Sequence, residues 1–466
     1  MALVDSRGVP VSTHSRDALH HYEQAVELSA GYFADPMTTI RIAIDADPDF
    51  AMGHCLQAAL IVTSTDPTMT PMLRSSIEAV EAVGRRANER ERAHAAAARK
   101  WLNGDFAGSI RAYGDILLDH PRDLLALQVA HVGDFLLGHS TMLRDRVAQV
   151  LPHWDSSVPG YGYVLGMHAF GLEECGAFSQ AEDTGRRALD LNSRDPWAVH
   201  AVAHVMEMTG RVRDGIDWLT RRERDWAPDN GFAFHNWWHL ALYMLETGDI
   251  PAVLNLYDRK VRPAASAVPL EMIDASALLW RLHLRGVDVE SRWQALAASW
   301  APISEHGYYA FNDVHAVMSF VGSQQIDLAV RTIASLERKA AGNDTNAMMS
   351  REVGLPIAHA LLAFGAGYYA DAVELLLPVR TIAHRFGGSN AQRDIVHQTL
   401  IESALRAGNP SLARALAAER THLKPTSPFN WQLTARALEL AGNPVGANKA
   451  NERVEICRRV QMRQVA

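Results

Sequence analysis

Asn103-Gly104-Asp105-Phe106 opens a segment that runs through Tyr113 and Leu117 to His120-Pro121-Arg122-Asp123. Its punctuation decides the fold. A glycine stops one helix and turns the chain, a second helix follows, and a Pro-Arg-Asp step ends that helix and starts the next. The same phrase recurs at Cys175-Gly176-Ala177-Phe178, Thr209-Gly210-Arg211, Thr247-Gly248-Asp249-Ile250, Phe364-Gly365-Ala366-Gly367-Tyr368, Ala407-Gly408-Asn409-Pro410 and Ala441-Gly442-Asn443-Pro444. Between these marks lie Ala- and Leu-rich stretches with apolar residues three and four apart, the period of an amphipathic helix. Alternating Val/Ile/Thr runs joined by hairpin turns are nearly absent. One helical pair cannot bury its apolar face alone, so neighbours must stack.

The predicted fold is therefore all-α: an α-solenoid of tetratricopeptide-like helical hairpins, curled into a closed or nearly closed superhelix. Residues 1–466 are expected to form one continuous helical-repeat domain, with the clearest phasing over 94–260 and 350–450. Val261 to Trp300 and Ala340 to Pro356 read as the irregular stretches.

A second repeat lies inside the first. His200-Ala-Val-Ala-His204-Val-Met-Glu207 is followed by His235-Asn-Trp-Trp-His239. Each string puts two histidines one helical turn apart on one face. The offsets 235 − 200 and 239 − 204 both equal 35 residues, close to the ~34-residue tetratricopeptide period. Chance gives about one His-x-x-x-His pair in a chain with 21 histidines, so the common offset says more than the spacing. Successive repeats would present the same imidazole pair, and four rings could converge on one surface.

Composition narrows the function classes. Of 466 residues, 48% are hydrophobic and 21% charged, with a net charge of −8. This is globular chain without the basic excess of a nucleic-acid binder. Three scattered cysteines suit a reducing compartment. The N-terminal residues carry no signal-peptide pattern, and no apolar stretch reaches membrane-span length. A soluble, cytoplasmic protein with neither nucleic-acid nor membrane partners is expected. Phosphate loops, GxSxG elbows and nucleophilic cysteine contexts are missing, which disfavours nucleotide-dependent and serine-hydrolase chemistry.

Polar residues embedded in the first helices of the pairs form a stripe at repeat spacing: His131 with Asp134, His168 with Glu173, the His200/His204/Glu207 group, His235 and His239, Asp274, Asn312-Asp313 with His315, His359, and Gln392-Arg393-Asp394. The chain here resembles the tetratricopeptide repeat protein 38 family. That likeness is carried by the segments 200–210, 235–243 and 274–281, by Phe311-Asn312-Asp313-Val314-His315 and by Gln392-Arg393-Asp394. It runs from about His94 to Gly442 and implies a helical-repeat fold, with no reaction attached.

Three readings of the stripe stay open. In one, His204 and His239 ligate a divalent metal ion, with Glu207 or Asp313 as ligand or outer partner; the glutamate of an HExxH motif is absent, since Ala201 stands there. In another, a metal-free pocket uses His200, His204, Glu207, His235, His239, Asp313 and His315 for acid–base chemistry of hydrolase, lyase or isomerase type. His131, Asp134, His168, Trp238, His359, Gln392 and Arg393 would then bind a small-molecule substrate, Arg393 by a carboxylate fork. In the third, buried histidines simply satisfy one another, and the protein is a scaffold for peptide or protein partners. Histidines and carboxylates amid Trp, Phe and Met tilt the expectation toward a small-molecule ligand, because peptide-binding arrays usually offer Lys, Arg and Asn.

Overall fold

The first turn quoted above shows how the array is made. Helix Glu89–Leu102 ends where Gly104 takes φ 87°, and the Asp105 N–H donates to the Lys100 carbonyl. This is a Schellman stop, whose left-handed residue carries no steric penalty when it is glycine. Asp105 then caps helix Phe106–Asp119 by accepting from Gly108 N–H at 2.8 Å, and Asp123 caps helix Leu124–Leu136 through Ala126 N–H. Along the described chain, a left-handed residue with the same backbone bond recurs at 138, 176, 210, 248, 286, 324, 367, 408 and 442. The intervals run from 34 to 43 residues. In the 364–368 phrase the left-handed residue is Gly367, and at position 324 it is a glutamine with φ 61°.

The computed structural model describes residues 3–289 and 291–463. Helices dominate them, joined by one short antiparallel pairing of Leu3–Val4 with Pro10–Val11. The architecture is an α-solenoid of tetratricopeptide-type hairpins. None of the described helices is long and apolar enough to cross a membrane. Two stretches expected to be irregular are mostly helical. Pro269–Leu284 and Arg292–Trp300 occupy the first, and Thr345–Met349, a π-turn over Ser350–Gly354 and helix Leu355–Gly365 span the second. Pro269 stands in the first turn of its helix, where its missing N–H costs nothing, and Pro356 follows the π-turn at the start of helix Leu355–Gly365.

The chain divides into two compact units. The first is the chain up to Val202 with Glu223–Ala233 and Gly342–Met348; the second is Ala203–Arg222, Phe234–Ala341 and the chain from Met349 onward. In the first unit, consecutive helices from Glu89–Leu102 to Phe178–Leu191 pack as antiparallel neighbours. Gly171 permits a close approach of two backbones: a Cβ there would meet the Leu143 carbonyl oxygen at 2.4 Å. The segment Gly342–Met348 joins this unit through Thr345, whose N–H donates to Gly104 O and whose Oγ1 accepts from Ala107 N–H, both at 3.2 Å.

In the second unit, helices Pro269–Leu284, Ala310–Gly322 and Leu355–Gly365 pack in series, as expected of repeats. Helix Pro269–Leu284 also packs against helix Asn390–Arg406, more than a hundred residues later. Trp280 Nε1 donates to Thr399 Oγ1 at 3.0 Å and Arg281 donates to Ala391 O at 2.7 Å. Within this unit the array turns back on itself, and the inner helices meet. That meeting builds the site.

Candidate functional site

Three of the four paired histidines belong to the second unit. His204 lies near the end of helix Pro196–Met208, and His235 and His239 lie one turn apart on helix Ala233–Thr247. All three are buried. The rings of His204 and His239 are 4.4 Å apart, those of His235 and His239 4.9 Å. Each of the three can offer a ring nitrogen within 4.8 Å of the others. His200, one turn before His204, falls in the first unit, where its ring packs against Phe170, Trp197 and Phe232.

Two carboxylates orient this cluster. His235 Nδ1 donates to Asp274 Oδ2 at 2.6 Å and His239 Nδ1 donates to Glu207 Oε2 at 3.0 Å. A carboxylate only accepts, so both rings carry their proton on Nδ1 and present Nε2 as the basic nitrogen. Gln392 Nε2 reaches Asp274 Oδ1 at 3.5 Å and also closes a capping box with Ser389. Burial, then the neighbouring His204, pushes His239 down to about 3 despite Glu207, so the imidazole is neutral at physiological pH. Burial would raise Glu207, but Lys424 and His239 hold it below the usual carboxylate range. Trp238 stacks on His235 at 5.3 Å, and the Arg281 guanidinium lies over its ring at 5.3 Å.

Glu207 links the histidines to a cleft. Its second oxygen faces Lys424 Nζ at 3.6 Å. The cleft has a cavity volume of about 60 Å³ and is lined by Glu207, Arg281, Arg285, Asp394, Arg420 and Lys424 among others. Arg420 is matched: its two terminal nitrogens meet both Asp394 oxygens at 2.6 and 3.1 Å, and Nε donates to Asn430. Burial alone would raise Asp394, but Arg420 holds it far below its ordinary value. Arg281 and Arg285 are not matched by any carboxylate among the described residues. Arg281 donates to Ala277 O and Ala391 O, at 3.0 and 2.7 Å, and Arg285 to Leu245 O at 2.7 Å. Burial lowers both, Arg285 to about 10.

The other expected residues are scattered. Asp313 is buried, its Oδ2 meets no hydrogen-bond partner among the described residues, and burial pushes its pKa well up. His315 donates from Nδ1 to Phe311 O at 2.8 Å, and burial lowers it to about 4. His359 is half-exposed beside Glu337 at 3.6 Å. Arg393 donates to Gly388 O and Asn390 Oδ1 within its own turn and lies on a separate surface depression with His384 and His397.

In the first unit, Asp134 is held by Arg146 at 2.7 and 3.2 Å, an ion pair. His131 packs edge-on to Phe170 and Trp197, and burial lowers it to about 4. His168 is half-buried, lowered by burial and then by Arg144.

The structure thus brings together His204, His235, His239, Glu207, Asp274, Trp238 and Gln392. Sequence reasoning missed the cleft's cations, Arg285, Arg420 and Lys424, and the role of Arg281. The expectation that this array lacks the Lys, Arg and Asn of a peptide groove is corrected by these four and Asn430. Their signal was faint, since they come from three segments that only the folded unit assembles.

No protein-family model matches the chain. Similar solved structures include the human IFIT1 dimer with PPP-AAAA, at 10% identity, 95% coverage of each chain and a TM-score of 0.41. The human IFIT1 dimer with m7Gppp-AAAA is 12% identical, covering 96% of this chain and 91% of that one, with a TM-score of 0.37. Naa15/Naa10 bound to HypK-THB is 12% identical over 95% of this chain and 71% of that one, with a TM-score of 0.27. The assignment of a tetratricopeptide-type helical-repeat fold rests on the chain's own phased hairpins.

Proposed function

We propose that the protein is a helical-repeat binding protein whose ligand places a carboxylate in the cleft of the second unit. One observation carries this reading. Among the described residues, Arg281 and Arg285 line the cleft with backbone carbonyls and the rings of Trp238 and Phe429 as partners and no carboxylate in an ion pair, while Arg420 and Lys424 are matched by Asp394 and Glu207. A guanidinium out of water gains from a bidentate carboxylate, whose charge offsets its lost hydration. The likeness to the tetratricopeptide repeat protein 38 family fits a repeat-built binder, and the three free cysteines fit a reducing cytoplasm.

Two sources share this chemistry: the C-terminus of a peptide and a free small acid. The peptide end is favoured by the repeat architecture, which commonly serves protein partners.

Fluorescence anisotropy on the full chain separates them. The probes are a labelled pentapeptide with two acidic residues at a free C-terminus, its C-terminal amide, citrate as competitor and a labelled oligoadenylate. Tighter binding of the free-acid peptide, weakened at least tenfold in Arg281→Met and Arg285→Met, supports a peptide ligand. Citrate that displaces the peptide at micromolar concentration supports a small acid. Binding of oligoadenylate alone, or of no probe in an arginine-dependent way, overturns the reading.

A further inference from the structure

We propose that His204, His235 and His239 form a binding site for one divalent transition-metal ion of the zinc class, with Asp274 and Glu207 as the outer carboxylates that orient the ligands. The inference stands apart from the carboxylate cleft, and the metal alone tests it.

Three features point to an ion. First, three buried imidazoles from two helices bring ring nitrogens within 4.8 Å of one another. A tetrahedral ion with ~2.0–2.1 Å bonds needs its nitrogens about 3.3 Å apart, and small rotations of the rings supply the difference. Second, two of the three rings are held through Nδ1 by a carboxylate, at 2.6 and 3.0 Å. This is the arrangement that fixes a metal-ligating histidine: the carboxylate selects the tautomer, makes Nε2 the ligating atom and raises its basicity. Third, the donors are nitrogens. Imidazole sets select zinc, cobalt, nickel or copper over magnesium and calcium, which take oxygen.

Packing alone is a poor account of this cluster. Neutral imidazoles that only satisfied each other would not need a carboxylate behind each of two rings. Three protein nitrogens also leave a coordination position open. Glu207 connects the cluster to the cleft, because one oxygen serves His239 and the other faces Lys424.

The test uses the full chain, purified without an affinity tag. Bound metal is counted by plasma mass spectrometry, and chelator-treated protein is titrated with cobalt(II) alone while its visible absorption is followed. The expected result is one equivalent per chain with the bands of a low-coordinate cobalt site, displaced by zinc. His239→Gln and His204→Gln should each weaken binding by more than a hundredfold, and His359→Ala should leave it unchanged. Should the histidine variants fail to fold, Asp274→Asn decides. It keeps all three imidazoles, and loss of an outer carboxylate should weaken cobalt by about 10–100-fold. No stoichiometric uptake of cobalt, zinc, nickel or copper by the wild-type chain overturns the proposal. So does uptake that neither the histidine variants nor Asp274→Asn reduces.

Discussion

His235 Nδ1 stands 2.6 Å from Asp274 Oδ2, with both side chains buried and on neighbouring inner helices of the second unit. The donor sits where water cannot replace its partner, so truncation should cost more than the bond itself is worth. Asp274→Ala is expected to destabilise the chain by about 1–3 kcal/mol, and Asp274→Asn, which keeps an acceptor, by under about 1.5 kcal/mol. Chemical denaturation followed by helical circular dichroism reads both. Equal losses for the two variants would show that charge, and not the hydrogen bond, matters to the fold.

Arg281 gives the opposite expectation. Its carbonyl partners, Ala277 O and Ala391 O, lie inside helices and retain their own backbone donors. Arg281→Met therefore strands no acceptor and removes a buried cation that forms no ion pair with a carboxylate among the described residues. Stability should stay within about 1 kcal/mol of wild type or rise, since an apolar isostere of a buried charge is often neutral or better. A drop of several kcal/mol in denaturant titration would mean that the guanidinium is a structural keystone, unsuited to a ligand.

The repeat turns offer a paired experiment. Gln324 holds φ 61° in an exposed turn where the equivalent positions carry glycine. An L-residue pays about 1–2 kcal/mol for that conformation, partly offset by the greater chain entropy of glycine. Gln324→Gly should stabilise by about 0.5–1 kcal/mol and Gly248→Ala destabilise by about 1 kcal/mol. Nothing lies within 4 Å of a Cβ at Gly248, so backbone strain is the whole effect. Thermal melts that moved both variants in the same direction would contradict this account.

Asp195 gives the first unit a pH dependence. It caps helix Pro196–Met208 by accepting from Trp197 and Ala198 N–H, at 2.9 and 3.2 Å. Burial nonetheless raises it from 3.8 to about 7. Between these two values the folded chain keeps a proton that the unfolded chain has released. Stability from this group is therefore highest below pH 4, falls as pH rises to about 7 and is level above. The total is at most about 4 kcal/mol, at 1.36 kcal/mol per unit. Asp195→Asn keeps a competent cap without the buried charge. It should be more stable than wild type at pH 8 and indistinguishable from it near pH 4. A difference independent of pH would assign the effect to packing.

Much of the fold was legible because its marks are local. Gly104 with Asp105 states a stop and a cap in two adjacent letters, and repetition at Gly176, Gly210 and Gly248 set the phase. Gln324 was hidden because a backbone conformation, not a residue type, keeps the phase there. The prolines of 261–300 misled because Pro269 begins a helix as readily as Pro263 interrupts one. The shared 35-residue offset brought His204, His235 and His239 to notice, since equivalent places in successive repeats face the same way. Arg281 and Arg285 were opaque as a site. Their surroundings come from helix Asn390–Arg406 and from residues 420–430, and no short-range pattern announces that long-range meeting. Arg393 drew attention by its neighbours in sequence, yet its guanidinium serves its own helix start.

The first unit takes its last piece, Gly342–Met348, from far down the chain. Thr345 of that piece bonds back to Gly104. A ribosome that has finished Val202 has thus not finished the unit; 348 − 202, or 146, further residues must follow. At ~5–20 residues per second that is a delay of roughly 7–30 s. During it the nascent first unit waits with a seam unclosed, and about half of the second unit is made before the seam can shut. Birth order and assembly order in this protein are consequently different things.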